Sequence, residues 1–594
     1  MRLYTTAAQA LDRAVGWSNL PLPLGIATLV AARIKLRQEN LYDTGTAPSI
    51  NKPPLQGTSP DYLTARTSDG SYNDLDHPEM GSTGTRFGRN VPIARTYPES
   101  PERIMQPNPR LVSRRLLTRD TFKPATTLNL LAAAWLQFMV HDWLSHGRNA
   151  KDNPWQVPLP PDDDWPENPM QILRTRADPT RPPGRDDYPP TYANTATHWW
   201  DASQLYGSGA DILARLRSGK GGKLKIGRDN LLPLDDKGID QTGVSGNWWI
   251  GLSLMHNLFT LEHNAICDRL AAEYPKWSDE DLFQKARLIN AALLAKIHTV
   301  EWTPAIVAHP TIQVAMHANW WGLEMERLSR LVGRLSSDEV LSGIPGSPTD
   351  HHGVPYAITE EFVAVYRMHP LLPDDLVFRS VKDDRVVLET TFPEVAFQKT
   401  RPVLAKVGFT NALYSFGTQH PGAITLHNFP KALQKLTDLD GILNDVGAID
   451  LLRSRERGVP RYNDFRELLH KPRVRSFEEL SDNPIWVAEL REIYDDDIDS
   501  VDLMIGLYAE PLPSGFGFSD TAFRIFILMA SRRLKSDRFF TNDFTPRVYT
   551  QTGMSWIADN TFATVLLRHA PALGPALARV NNAFAPWPTA GHIS

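Results

Sequence analysis

The sequence predicts a mainly α protein with long proline-rich loops and few short strands, compacted into one large domain. Three observations predict it. Apolar residues recur at helical spacing in several long runs, among them Thr126–His146, Ser253–Glu273, Asp279–Ala308 and Asp520–Leu534. Between such runs lie stretches rich in Pro, Gly, Ser, Asp and Asn, notably Ala47–Pro109 and Lys151–Pro190, which read as irregular surface wraps. No low-complexity linker, charge block or internal repeat splits the 594 residues.

Residues 1–45 read as two short helices. Thr126–His146 (TTLNLLAAAWLQFMVHDWLSH) is apolar nearly all round, so it is expected to be buried, capped at Thr126 or Thr127 and stopped by Gly147. Lys223–Leu234 reads as a small hairpin. The nearby glycines Gly219, Gly221 and Gly222 lack phosphate-loop spacing. Further helices are expected over Thr359–His369, Pro430–Leu436 and Ser500–Leu507, a strand over Val386–Thr391, and loop plus helix over Arg455–His470.

Composition narrows the function. Hydrophobic residues make up 42% and charged residues 22%, as in a globular protein with a large core. A net charge of −5 weighs against a general nucleic-acid binder. The single cysteine, Cys267, excludes an internal disulfide and a multi-cysteine zinc site, and its apolar helical setting makes it a core filler. Leu20–Ala32 is apolar but too short to span a bilayer. Arg33, Lys35 and Arg37 follow it, so residues 20–37 suit either a membrane-interfacial segment or a buried helix. With no clear signal peptide, a cytoplasmic protein is expected, with peripheral membrane contact through 20–37 as its variant.

Three stretches carry chemistry. In TEEFVAVYRMHPLLPD (359–374), Tyr366 stands three residues before His369. Thr359 suits an N-cap and Pro370 ends the helix near His369, so phenol and imidazole share a face at a helix end. Haem chemistry uses such a pair, the histidine on iron and the tyrosine as a radical; two ordinary half-buried residues are the plainer alternative. Within the buried helix, Gln137 and His141 share a face and Asp142 adjoins them, a polar group that needs partners. In THWWDAS (197–203), Thr197, Asp201 and Ser203 offer oxygens at alternating positions, with the Trp199 carbonyl between. Joined by Asp142, these donors suit calcium, which would tie the helix to this loop.

Taken together, LQFMVHDW (136–143), THWWDASQLYGS (197–208), NWWIGLSLMHNLFTLEHNAICDRL (247–270), EEFVAVYRMHPLLPD (360–374) and DTAFRIFILMASRRLKSDRFFTNDF (520–544) resemble the haem peroxidase–cyclooxygenase superfamily, and within it the fatty-acid α-dioxygenases. The resemblance runs across roughly 125–550. It implies an animal haem-peroxidase-like helical fold, with 1–594 as a single catalytic haem domain: N-terminal helices over 1–45, a wrap over 46–110 and a core over 111–594. It implies oxygenation of long-chain fatty acids at C2 by O2, started by an activating peroxide. The product is a 2-hydroperoxy acid, which can decarboxylate to an aldehyde one carbon shorter. Residue by residue it implies His369 as haem iron ligand, His141 and Gln137 on the distal side, Tyr366 as the radical residue, and calcium on Asp142, Thr197, Trp199, Asp201 and Ser203. His298 and Thr303 match the family's carboxylate-binding His and Thr; Arg538 is taken as the Arg, with Arg532 and Arg533 behind it. Asn428 is taken to hold the second nitrogen of His369.

The chain departs from the mammalian peroxidase branch. Val140 stands where that branch links haem through Asp, Trp248 and Trp249 where it carries the linking Glu and Met, and Ser245 where it carries an assisting Arg. Non-covalent haem b and weak peroxidase turnover are expected, in a monomer without a nucleic-acid partner. The competing readings are an H2O2-dependent peroxidase, a lipid dioxygenase acting at another carbon, and a non-catalytic calcium- or lipid-binding protein.

Overall fold

The computed structural model describes residues 2–47, 60–323, 326 and 333–589. Positions 48–59 of the expected wrap lie outside the described residues. Helices dominate, and among the described residues β-structure is limited to two-stranded antiparallel pairs and isolated bridges.

The N-terminal pair is α1 (Arg2–Val15) and α2 (Leu22–Glu39). Helix α2 buries Leu29, Ala31, Arg33 and Leu36 while Leu22 and Leu24 stay exposed. It packs against α6 (Pro310–Trp321) and α9 (Asp520–Lys535). Much of Leu20–Ala32 is therefore a half-buried helix wall. Among the described residues, no helix is long and apolar enough to cross a membrane.

The buried helix is α3 (Leu130–Val140), shorter at both ends than expected. Asn129 takes the N-cap place in an extended conformation. Its amide does not cap the helix but donates to the carbonyls of Ala583 and Ala585, 2.8 Å each. At the other end His141 is the C-cap. Helix α3 packs on α4 (Ile250–Glu273), and α4 on α5 (Asp279–Ile297). Cys267 lies buried on α4, and burial pushes its thiol up to about 12, as suits a core filler.

Helix α5 starts at a Ser278–Asp281 capping box. It does not run straight to Ala308. A π turn over His298–Trp302 interrupts it, followed by a short helical turn over Thr303–Ile306. Single π turns inside helices recur at functional sites, because they re-aim side chains.

Helix α7 is short, Glu360–Val365. Thr359 caps it, its hydroxyl accepting from the Phe362 N–H at 3.3 Å. Tyr366 is already the C-cap, and His369 begins a separate 3-10 turn, His369–Leu371. The expected continuous helix to His369 is thus corrected: the chain leaves helical geometry three residues earlier, so i,i+3 spacing does not govern this pair.

Lys151–Pro190 is not all loop. It contains the hairpin β1 (Ala150–Val157) and β2 (Met170–Arg174). Lys223–Leu234 is not a hairpin, since Leu224 bridges back to Arg217 and Leu234 forward to Asp240. The strand β4 (Val386–Thr391) forms as expected and pairs with β3 (Asp375–Arg379). Helix α8 (Val446–Glu456) precedes Arg455–His470's own helix, Tyr462–Leu468.

Candidate active site

Two cavities lie on either side of the Tyr366–Phe526 ring contact. The larger, about 470 Å³, is lined by Gln137 and His141 of α3, Trp249, Tyr366, His369, and Asp450 and Arg453 of α8. The narrower, about 90 Å³, is an apolar channel between α2, α6 and α9 that includes His298 and Thr303. Tyr366 packs edge-on against Phe526 of α9, ring centroids 4.6 Å apart, and Phe526 lines the channel. Phe362 and Trp143 close the other sides of the phenol. Burial pushes the Tyr366 phenol above its ordinary value, with the nearby Arg533 charge opposing.

His369 Nδ1 lies 2.9 Å from Asp450 Oδ2, an ion-pair distance without hydrogen-bond alignment. Arg367 pairs with the other Asp450 oxygen. Burial lowers His369 to about 4, so its ring is neutral at ordinary pH, and Nε2 is the nitrogen left for a metal. Asn428 is elsewhere, which corrects the expected partner. Its carbonyl oxygen accepts from Arg119 at 2.9 Å and from the Lys123 N–H at 3.1 Å, and its amide donates to the carbonyls of Lys123 and Ala423. No capacity remains for His369.

His141 Nε2 is 3.0 Å from His256 Nε2, and His256 Nδ1 is 2.6 Å from Thr242 Oγ1. Burial lowers His141 to about 3. Gln137 is fixed by Trp249, whose indole N–H donates to its carbonyl at 2.6 Å. Asp450 is the one carboxylate among the described residues lining this cavity, and it is held by Arg367 and His369; Val140 and Trp248 bring none.

In the channel, the Trp135 indole donates to His298 Nδ1 at 3.2 Å. Indole is donor only, so Nδ1 accepts and Nε2 carries the proton. Burial lowers His298 to about 3, keeping it a neutral N–H donor. The π turn brings Thr303 back under it, the Thr303 hydroxyl donating to the His298 carbonyl at 2.8 Å.

The structure separates the arginines. Arg538 is committed to structure: it ion-pairs with Asp543, donates to the Leu63 carbonyl at 3.1 Å and to the Tyr62 and Tyr72 carbonyls, and does not line the channel. Arg532 donates to the carbonyls of His351, Val354 and Pro355. Arg533 instead lies over Trp143, 3.2 Å from its centroid, and 5.0 Å from that of Trp200. Its Nε and Nη1 are buried without partners, and its charge acts on both His298 and Tyr366. Neither arginine lines the channel, and of the two only Arg533 keeps buried donors without partners. Arg533 lies in the last turn of α9, whereas Arg538 lies in the turn that follows the helix.

Four of the five expected calcium donors, Asp142, Thr197, Asp201 and Ser203, pair with one another. Thr197 Oγ1 donates to Asp201 Oδ2 at 2.9 Å, and Ser203 Oγ to Asp142 Oδ2 at 2.5 Å. Asp142 Oδ1 is buried without a partner. Burial, with Asp201 nearby, pushes Asp142 up to about 7. The Trp199 carbonyl accepts from Arg533 Nη2 at 3.2 Å. Among the described residues no three His, Cys, Asp or Glu side chains form a metal group. This all-oxygen set, with one orphaned carboxylate oxygen, fits a hard cation through two carboxylates, two hydroxyls and a carbonyl. The 470 Å³ cavity fits haem on similar grounds: a neutral imidazole whose Nδ1 faces Asp450, and the cations Arg367, Arg453 and Arg457 at its wall for propionates.

Residues 65–581 match the animal haem peroxidase family. Alpha-dioxygenase 2 of Arabidopsis thaliana is 39% identical over 97% of this chain and 92% of its own length. Alpha-dioxygenase PIOX of Oryza sativa subsp. japonica is 36% identical over 97% and 94%. The solved structure of a Tyr-to-Phe variant of Oryza sativa fatty acid alpha-dioxygenase with palmitic acid superposes with a TM-score of 0.92 at 34% identity, covering 99% of this chain and 97% of that one. Peroxidase A of Dictyostelium discoideum, at 20% identity and a TM-score of 0.68, shares the fold.

Proposed function

Because this chain belongs to the animal haem peroxidase family and, within it, to the α-dioxygenases, we propose that it is a fatty-acid α-dioxygenase, adding O2 at C2 of a long-chain acid, with residues 1–594 working as one catalytic unit. One observation carries the reading. Tyr366 lines the cavity of His369 and His141 while its ring packs on Phe526, which lines the channel of His298 and Thr303.

His369 would hold haem as its iron ligand, without a covalent link, and with an activating peroxide the haem would supply the one-electron oxidant. Asp450, itself held by Arg367, orients His369 and raises its basicity. His141 moves the peroxide's proton, with His256 and Thr242 fixing its ring. Tyr366 loses an electron and its phenol proton and becomes a radical. On the channel side, the His298 Nε2–H and the Arg533 guanidinium bind the carboxylate, and the Thr303 hydroxyl joins them by turning its one proton from the His298 carbonyl to the ligand. That fixes C2 next to Tyr366, and positioning of this kind is a large part of catalysis. Tyr366 takes a hydrogen atom from C2, O2 adds to the carbon radical, and the peroxyl radical takes the hydrogen back from Tyr366. The 2-hydroperoxy acid leaves; loss of CO2 and water gives an aldehyde one carbon shorter. Asp142, Thr197, the Trp199 carbonyl, Asp201 and Ser203 would hold calcium, which would tie the His141 segment to the 197–203 loop and so steady the carbonyl that anchors Arg533.

The test is oxygen consumption by haem-loaded protein with palmitic acid and a trace of peroxide. Sustained uptake, with 2-hydroperoxypalmitate or pentadecanal as product, is the expected result. No uptake across several fatty acids, with guaiacol oxidised at the expense of stoichiometric H2O2, would make the protein a peroxidase instead.

A further inference from the structure

The channel has a charged margin that the chemistry at Tyr366 does not use. Arg33 lines it from α2, beside Asn319 and Ser531. Arg33 Nη1 donates to Asn319 Oδ1 at 2.9 Å, and Nη2 lies 3.0 Å from Glu339 Oε1. One helical turn on, Arg37 donates to the same Glu339 oxygen at 2.7 Å and to Ser531 Oγ at 3.2 Å. Lys535 Nζ, from the end of α9, is 3.6 Å from Glu339 Oε2. Three cations converge on one carboxylate. The Nε atoms of both arginines and Glu339 Oε2 are buried without hydrogen bonds. A surplus of positive charge in such a setting is costly unless an anion completes it.

Its location says which anion. Leu323, 44% exposed, is the one exposed residue among the described residues lining the channel, and its N–H donates to the carbonyl of Val340, the neighbour of Glu339. The cationic cluster therefore stands where the channel meets solvent. A fatty acid whose carboxylate ends beside Tyr366 must pass this margin head first, with its tail trailing.

We infer that Arg33 and Arg37 form a carboxylate port: an arriving fatty-acid anion exchanges with Glu339 on the two guanidinium groups and is then handed inward to His298 and Arg533. The inference rests on the fatty-acid reading of the channel. It makes a prediction of unusual sign. The protein carries a net charge of −5, so a fatty-acid anion is repelled overall and added salt should speed its capture. A local cationic port reverses this, and added salt slows capture.

The experiment is stopped-flow association of a fluorescent polyene fatty acid with the haem-loaded enzyme across ionic strength, beside steady-state oxygen uptake with palmitate. Association by the natural protein is expected to slow with salt. Arg37→Gln should slow it several-fold at low salt and flatten the salt dependence, with kcat at saturating palmitate unchanged. Glu339→Gln, which enlarges the positive surplus, should speed association. Association that is indifferent to salt, or quickened by it, overturns the port without any variant being needed. So do variants that lower the unfolding midpoint yet leave association rates alike, the result for a cluster that merely braces α2 to α9. Salt-slowed binding without oxygen uptake from any fatty acid would leave the port standing and sink the α-oxygenation reading.

Discussion

The cavity around His369 and the channel below His298 adjoin through one pair of rings, yet they are built from opposite materials. The first gathers titratable groups: His141, Tyr366, His369, Asp450 and three arginines within 470 Å³. The second is walled by aliphatic and aromatic side chains and admits few polar atoms. The difference separates two tasks. An oxidising centre needs charge and exchangeable protons. A site that chooses one carbon of a flexible chain needs a narrow apolar bore and a few donors at one end. Tyr366 lines the first and touches the second through Phe526, and this contact is the only aromatic join between their linings among the described residues.

The largest effect should come from breaking that join. Tyr366→Phe is expected to keep the haem absorption spectrum and to lower oxygen uptake to background, since ring packing survives and only the transferable hydrogen is lost. Uptake retained by this variant would remove the radical role.

The next test works on the channel side alone. Arg533→Met should cost the carboxylate a charge-assisted hydrogen bond, lowering kcat/KM for palmitate by about 10- to 150-fold. Arg538→Met should lower the unfolding midpoint, through loss of its Asp543 pair and backbone carbonyl bonds, and leave kcat/KM nearly intact. The reverse pattern would return the carboxylate role to Arg538.

Calcium should act on stability before chemistry. Adding calcium to chelated protein is expected to raise the unfolding midpoint by a few degrees, a ligand at a hundred times its Kd contributing about 2.7 kcal/mol. Asp142→Asn and Asp201→Asn should each abolish the rise. An unchanged midpoint in calcium would leave the orphaned Asp142 oxygen unexplained.

The smallest effect concerns pH. His298 is lowered to about 3 and His263 to about 4 by burial, against about 6.5 in an unfolded chain. Between those values the unfolded state binds more protons, so stability rises with pH there and is lost on acidification below about 6.5. His298→Gln should flatten the acid limb measured by thermal unfolding, and a limb of undiminished slope would show that His298 is not buried neutral.

How much of this was readable in advance varies residue by residue. The helices of α4, α5 and α9 follow from apolar periodicity, and β4 was found at its own bounds because β-branched residues cluster there. The hairpin over 150–174 was hidden, since β1 is half exposed and lacks alternation while β2, which alternates, is only five residues long. Tyr366, His369, His141, His298 and Thr303 could be picked out by motif. Asp450 could not: it lies 81 positions beyond His369 on a charged helix where any acid reads as a solvated face. His256 sat inside a quoted motif but gave no sign of which residue it would touch.

The sequence by itself determined the helical class, the residue types of the oxidising centre and the oxygen donors of the cation site, because these depend on periodicity and on chemistry carried within short stretches. Only the tertiary structure decided which arginine keeps donors without partners, which acid faces His369, and that three cations gather at the channel's margin. Those outcomes depend on what else competes for each polar atom. Arg538 is saturated by carbonyls of a segment nearly 480 residues away, while Arg533, five positions earlier, meets two tryptophan faces and keeps two donors unspent.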